Sequence, residues 1–260
     1  MRKNIVLIVS EKDDAGLNMF AHMQPYFQKE KTVVDENSVH SYKTQYFTYF
    51  LCKIQSETVY AEDIDAALSQ IIGEISIIIF CTKHASQSGK PSFCVHTQGN
   101  FGKNELGGMP NKIANCPVIL KNALFREIYT KNTFSYIDVV NECTHHGPDM
   151  QTPSVFVEIG STQKEWNQKE LGYFMAQRIL SVLDAYTGED SLQSDKPCVA
   201  LLGGPHTCTN INDLCGKGKI ELSHACANYA LLDIDEKMII EMLEKSTRKP
   251  MVVLDYKSMN

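Results

Sequence analysis

The sequence predicts an α/β protein with a mixed, mainly parallel sheet flanked by helices. Continuous apolar runs at 4–10, 75–80 and 198–202 read as strands buried on both faces. Amphipathic stretches separate such runs, for example 61–72 with Ile64, Ala67, Leu68, Ile71 and Ile72 on one stripe. Strand-like and helix-like segments then alternate to the end, the pattern of α/β layering.

Taken in order, 4–10 is the first strand, and Asp13-Asp14-Ala15-Gly16 opens a helix-like stretch to about Lys29. Segments 46–52 and 57–60 read as short strands, 61–72 as a helix and 75–80 as the second strongly buried strand. A small, polar loop at 83–90 precedes a strand at 92–97. The four glycines in 98–110 make that stretch irregular. A helix is expected over 111–130, interrupted or started by Pro117, and strands at 136–140 and 154–159. Thr162 and Glu165 have capping-box spacing, and one helix is expected from there to about Ala185. Residues 187–196 are polar and form a minor seam within a single domain spanning 1–260. A strand at 198–202, a helix at 235–246 and a last strand at 251–254 complete the pattern.

The charge balance is 25 Lys+Arg against 31 Asp+Glu, net −6, with a pI of about 5.8. That argues against a dedicated nonspecific nucleic-acid binder, though not against an enzyme meeting RNA through a local basic patch. No apolar run approaches the roughly 20 residues that span a bilayer, and residues 1–10 read as a strand rather than a signal peptide. Nine scattered cysteines without a C-x-x-C read as reduced thiols in a cytoplasmic protein. Four of them stand two residues from a histidine: Cys94/His96, Cys143/His145, Cys208/His206 and Cys226/His224. On a strand such pairs share one face and would present N and S donors together. Small buried cysteines beside histidines are the plainer alternative.

Loops following buried strands carry His84, the pair His145-His146, and His206. Ligands in open α/β sheets bind beyond the carboxyl ends of the strands, so these loops point to one site. Thr144-His145-His146-Gly147-Pro148 is the densest motif: adjacent imidazoles supply two metal ligands, or a ligand and a base. Glu158, inside an apolar strand, needs a partner or a shifted pKa, which makes it a candidate base, metal ligand or salt-bridged core residue. If strands 136–140 and 154–159 are antiparallel, Glu158 would lie about 17 Å from the histidine pair at 3.3 Å per residue; if parallel, both share one end. Gly160-Ser161-Thr162 could bind phosphate or simply cap a helix. No G-x-S-x-G, P-loop or G-x-G-x-x-G appears where those chemistries need it.

These residues resemble the archaeal and plant D-aminoacyl-tRNA deacylase family. The resemblance rests on Thr144-His-His-Gly-Pro148, Thr152-Pro153-Ser154, Phe156-Val-Glu-Ile-Gly-Ser161 and Trp166. Lys83-His84 with Ser86, Ser88 and Gly89, then His96-Thr97 and Gly99-Asn100, and Lys12-Asp13 with Asn18, are similar to its earlier motifs. It implies a phosphorylase/peptidyl-tRNA-hydrolase-like fold and a zinc-dependent (Zn2+) hydrolase of the ester in D-aminoacyl-tRNA, protecting translation from D-amino acids. The implied partner is D-aminoacyl-tRNA, met by a monomer without DNA or membrane. By the resemblance, His145, His146, His206 and His224 are metal-site residues, and His145, His146 and Glu158 are catalytic. His84, Ser88, Gly89, His96, Thr97, Gly99, Asn100, Gly203, Gly204 and Tyr229 would shape the substrate pocket. The sequence departs from the family where Gly203-Gly204-Pro205-His206-Thr207 replaces G-G-G-H-Y and Ser223-His224 begins its G-H-x-x-P-x-Y. That departure motivates an alternative reading, an RNA-end or nucleotide-binding protein of the same fold that has lost hydrolysis. Fold analogy alone suggests a third, a nucleoside phosphorylase-like transferase.

Overall fold

The computed structural model describes residues 2–34, 37–104, 106–189 and 195–258. The strands are β1 (Lys3–Ser10), β2 (Gln28–Val34), β3 (Asn37–Lys43), β4 (Phe47–Ile54), β5 (Ile75–Ala85), β6 (Ser92–His96), β7 (Gly99–Asn100), β8 (Lys112–Ile113), β9 (Asp138–Asn141), β10 (Ser154–Ser161), β11 (Cys198–Leu202), β12 (Glu221–Cys226) and β13 (Met251–Leu254). The helices are α1 (Asp14–Met23), α2 (Ile64–Ile72), α3 (Val118–Lys131), α4 (Gln163–Trp166), α5 (Lys169–Ala185), α6 (Thr209–Gly216) and α7 (Glu236–Glu244).

The larger sheet runs β2-β3-β4-β1-β5-β10-β6-β9. Its centre, β4-β1-β5-β10, is parallel, whereas β6 runs antiparallel to β10 and parallel to β9. A second, parallel sheet has the order β12-β11-β13. The predicted mixed, mainly parallel α/β class is therefore present. The central strands are apolar on both faces because α1 and α5 cover one side and α2 the other; Ile5, Leu7 and Val9 pack to the first, Val6 and Ile8 to the second.

Strand α/β pairing alone does not join the two sheets; α3 does. Its Lys121 is 1 % exposed and donates its ammonium to the carbonyls of Leu222 and Ser223, each at 3.1 Å. Asn122 beside it both donates to the Leu222 carbonyl and accepts from the Leu222 N–H, at 2.9 Å each. Val199, Leu201, Leu222 and Ala225 of the small sheet share one continuous apolar core with the large sheet. Of the polar stretch 187–196, residues 190–194 lie outside the described residues. Glu189 at its start is anchored: its carboxylate accepts from the N–H groups of Ile119 and Leu120, both at 2.9 Å, and so caps α3, whose own N-cap Pro117 offers no side-chain bond.

Several elements differ from the sequence expectation, each for a local reason. Segment 57–60 is a 3-10 turn closed by Tyr60 N–H to Glu57 O and Ala61 N–H to Thr58 O. The first helix stops at Met23 because Gln24–Tyr26 tightens into a 3-10 turn containing Pro25, and the chain then enters β2. The expected single helix after Thr162 is two. Thr162 and Glu165 form the capping box, but the chain is extended at Gln168. Asn18 fixes that break by donating to both Trp166 O (3.0 Å) and Gln168 O (2.7 Å). The hairpin β2-β3, helix α6 and strand β12 carry mixed polar patterns and were not legible by periodicity.

Removing the Glu189 charge tests the strut. Glu189→Gln is expected to lower stability by about 1–2 kcal/mol, a typical cap loss. For a chain of this size that is a fall in Tm of about 2–8 °C. An unchanged melting curve would show that the α3 N-terminus does not depend on this carboxylate.

Candidate active site

The carboxyl end of β5 lies beside the carboxyl end of β10, which pairs in turn with β6, and four side chains meet there. His84 ends β5, Glu158 sits in β10, His96 ends β6 and Glu142 directly follows β9. Register explains the meeting: Gly160 pairs with His84, Glu158 with Cys94 and Phe156 with His96. Gly160 has to be glycine, because a Cβ there would stand 2.6 Å from the His84 ring. His84 Nδ1 lies 3.3 Å from Glu142 and 3.5 Å from Glu158, and His96 Nε2 lies 3.5 Å from Glu158. Trp166 fixes the same strand end by donating its indole N–H to His84 O at 3.1 Å.

The loop after β9 closes over this group. His145 donates Nδ1–H to Cys143 O at 2.9 Å, and His146 donates Nδ1–H to Gly147 O at 2.6 Å. A carbonyl can only accept, so in each neutral ring Nε2 keeps its lone pair. His146 holds a left-handed φ of 49°, and Gly147 packs so closely on Gly107, Gly108 and Val59 backbone that a Cβ would come within 2.2–2.5 Å. The glycine thus serves close approach, and the unusual backbone angle belongs to His146. Strands β9 and β10 are antiparallel through β6, yet His146 Nε2 lies 4.0 Å from Glu158, not 17 Å as strand rise alone suggests. Residues 147–153 carry the return, so the histidine pair lies over the middle of β10.

The small sheet supplies the last group. Cys143 N–H donates to His206 O and Thr144 N–H to Ala225 O, each at 2.8 Å, which ties the β11 and β12 ends to the histidine loop. His206 Nε2 then lies 3.4 Å from Glu142, and its Nδ1 lies 3.0 Å from the Tyr229 hydroxyl and 3.2 Å from Cys143 Sγ. The ring of His145 is 4.3 Å from His96, 4.4 Å from His146 and 4.5 Å from His206, centre to centre.

Electrostatics divide these groups. Burial opposes charge on Glu142 and Glu158. The nearby imidazoles of His206 and His84 for the first, and of His84 and His96 for the second, still hold both carboxyls below their usual range. Burial likewise opposes charge on His84, but Cys94, Glu142 and Glu158 raise its pKa strongly. His206 is raised to about 10 against burial, by Cys143 and Glu142. Burial and neighbouring imidazoles drive His145 well below its ordinary value and His146 to about 4, so both stay neutral. Both oxygens of Glu142 and both nitrogens of His96 are buried without a hydrogen bond. Such orphans are expensive unless a further group meets them.

Not every residue singled out in the sequence reaches this centre. His84, His96, His145, His146, Glu158, His206 and Tyr229 converge. Gly99, Asn100 and Thr144 line the cavity beside them. Thr97 is buried with its hydroxyl unbonded. Ser88 and Gly89 form an exposed or half-exposed turn held by Ser86. Gly203 and Gly204 are spent on backbone links to Cys226 O and Asn228 Oδ1. His224 stands apart: fully buried, it contacts Thr144 Oγ1 and Lys245 O, each at 3.3 Å, and belongs to no metal-capable group among the described residues. Cys208 and Cys226 turn their thiols to backbone carbonyls, while Cys94 and Cys143 face the site. Glu142 was missed in the sequence, although an acid directly before Cys143-Thr-His-His at a strand end was there to be read.

The backbone is a mixed, mainly parallel α/β fold that solved structures share. It is similar to a solved futalosine hydrolase of Helicobacter pylori, with TM-score 0.50 and 11 % identity over 72 % of this chain and all of that one. A crystal structure of a conserved protein of unknown function matches far more fully, with TM-score 0.86 and 24 % identity over 100 % of this chain and 88 % of that chain. Residues 72–260 match the family model described as D-aminoacyl-tRNA deacylase. A curated D-aminoacyl-tRNA deacylase of Methanocaldococcus jannaschii is 30 % identical over 92 % of this chain and 85 % of its own length. The chain belongs to the D-aminoacyl-tRNA deacylase family. Among the described residues no helix is long and apolar enough to cross a membrane.

His224 supplies a pH test. Burial lowers its pKa to about 3, with the Lys121 and Lys245 charges adding and the Lys245 carbonyl opposing. An unfolded histidine titrates near about 6.5. Below that pH the unfolded chain takes up a proton the folded chain refuses, so stability present above about 6.5 falls as pH drops toward about 3. His224→Gln is expected to be less stable at neutral pH by about 1–3 kcal/mol and to lose less on acidification. Parallel stability–pH curves for the two proteins would remove His224 from this role.

Proposed function

We propose that this chain hydrolyses the ester bond between a D-amino acid and the 3′ end of tRNA, releasing both, with a zinc ion at the histidine–carboxylate centre. The observation that carries the reading is the fixed tautomer of the two buried imidazoles. His145 and His146 spend Nδ1–H on backbone carbonyls and face inward through Nε2, beside the unbonded His96 nitrogens and Glu142 oxygens. His96, His145 and His146 offer ring nitrogens within 4.8 Å of one another. A donor set of imidazoles with adjacent carboxylates suits Zn2+, and the carbonyl-held Nδ1–H groups of His145 and His146 are the usual support for ligating histidines. The three histidines would hold the ion. When bound, it would polarise the ester carbonyl and lower the pKa of a nearby water.

The chain's own groups supply the remaining chemistry. Glu142, anionic and without a hydrogen bond, accepts the proton of the attacking water as the new carbon–oxygen bond forms. His206, protonated and at the open side of the centre, returns a proton to the ribose oxygen as the ester bond breaks. Glu158 lies against His84, His96 and His146 and orients those rings. Such an enzyme would act in the cytoplasm as a quality-control step of translation.

The decisive measurement compares D-Tyr-tRNA with L-Tyr-tRNA, using the protein as purified, after chelation and after zinc is restored. Release of D-tyrosine alone, lost on chelation and recovered with zinc, is expected. Hydrolysis that survives chelation with no metal bound overturns the zinc assignment. Absence of hydrolysis with zinc bound and tRNA still retained supports the binding-protein alternative. Glu142→Gln is expected to lower kcat by about 10²–10⁴, the usual worth of a general base, with little change in KM.

A further inference from the structure

The histidine centre does not sit at the bottom of one pocket. Two cavities, of about 620 and 370 Å3, meet over it and share only Leu106, His145, His146 and His206. Four of the residues grouped in the sequence as one substrate pocket fall on different cavities: Gly99, Asn100 and Tyr229 line the larger, His84 the smaller.

The walls differ in chemistry. The larger cavity carries Phe101 and the Tyr229 ring, the latter 64 % exposed and stacked on His206 at 6.1 Å and 20°. Its wall also carries Lys103 and Asp233, whereas Lys12 and Lys83 line the smaller cavity, so cations do not tell the two apart. The smaller cavity has no phenylalanine, tyrosine or tryptophan in its wall. It is floored by the buried side chains of Ser10, Asp13, Thr58, Thr82 and Glu158. Asp13 holds that floor rigid by accepting from Gly16 N–H (2.7 Å), Thr82 Oγ1 (2.5 Å) and Lys83 N–H (2.9 Å).

An aminoacylated tRNA end is also two-sided about its ester. One side is a nucleoside that needs an aromatic face for its base and a roomy, open cavity for the rest of the polynucleotide. The other is a compact acyl group. We infer that the larger cavity receives the 3′-terminal adenosine, with its base against Tyr229, and the smaller cavity receives the D-aminoacyl group. The ester lies between them over His145 and His146. Leu106, 45 % exposed and common to both cavities, is the ridge the substrate straddles. The assignment rests on the deacylase reading, but its first test does not require turnover.

Adenosine 5′-monophosphate is titrated by calorimetry against the wild-type chain, Tyr229→Ala and Val59→Phe, the last filling the smaller cavity from its wall. Tyr229→Ala is expected to weaken the nucleotide at least tenfold, and Val59→Phe to change its affinity less than twofold. In deacylation, Val59→Phe is expected to lower kcat/KM for D-tyrosyl-tRNA at least tenfold more than for D-alanyl-tRNA. Tyr229→Ala should lower both alike, with KM taking the larger share. Ala85→Trp, at the exposed mouth of the smaller cavity, repeats the size test if Val59→Phe does not fold. A nucleotide that does not bind the wild-type chain, or that is displaced by Val59→Phe and not by Tyr229→Ala, overturns the assignment. So does acyl-size selectivity that moves with Tyr229 alone. If no aminoacyl-tRNA is hydrolysed, the calorimetric arm still decides where the nucleoside binds, so failure of the deacylase reading and failure of this one stay distinct.

Discussion

Two carboxylates buried within one histidine cluster are the constraint to which the rest of the molecule answers. Glu142 and Glu158 are 2 % and 3 % exposed, and a buried anion is tolerated only where cationic or strongly donating partners surround it. Four strands and three loops are arranged to bring those partners. The β5-β10-β6 register sets His84 and His96 against Glu158. The loop after β9 lays His145 and His146 across the opening, and the small sheet reaches over to set His206 on Glu142. Strand β6, antiparallel to β10 at the flank of the parallel centre, serves the same end by setting His96 opposite Phe156, two residues from Glu158.

The same constraint explains the polar contacts that join the two sheets. His206 can approach Glu142 only if β11 and β12 are docked in one position. Lys121, Asn122 and the Glu189 cap on α3 fix that position through buried backbone groups, which tolerate little slippage. Ser223 donates its hydroxyl to Val199 O at 3.0 Å and so adds to the lock between β12 and β11.

What the sequence disclosed and what it withheld follow from range. The buried strands 4–10, 75–80 and 198–202 and the capping box at Thr162 are local signals, and each is found at or near its expected place. The break at Asn167–Gln168 was invisible because its cause is Asn18, far away in sequence. The edge hairpin β2-β3 was missed because it lacks a continuous apolar pattern. In the site, histidines at strand ends could be gathered by topology alone. His224 has the same local appearance as His206, two residues from a cysteine near a strand end, and only tertiary packing turns it toward Lys245 and away from the cluster. Glu142 was overlooked since one acid at the end of a short strand looks like a solvated terminus until its neighbours are known. Glu158 stood out because it interrupts an apolar run.

His206 and Tyr229 are the members of the centre encoded after the seam, and β12, which helps tie down the histidine loop, follows His206. A ribosome-bound chain that has emerged only through β10 and α5 already contains both carboxylates and the histidine pair, but it lacks the imidazole that meets Glu142 and the sheet that ties down the loop. The centre is therefore assembled only once β11 and β12 have been made. A product that stalls or is clipped before β11 is left with an acidic, histidine-rich pocket that lacks His206 and Tyr229.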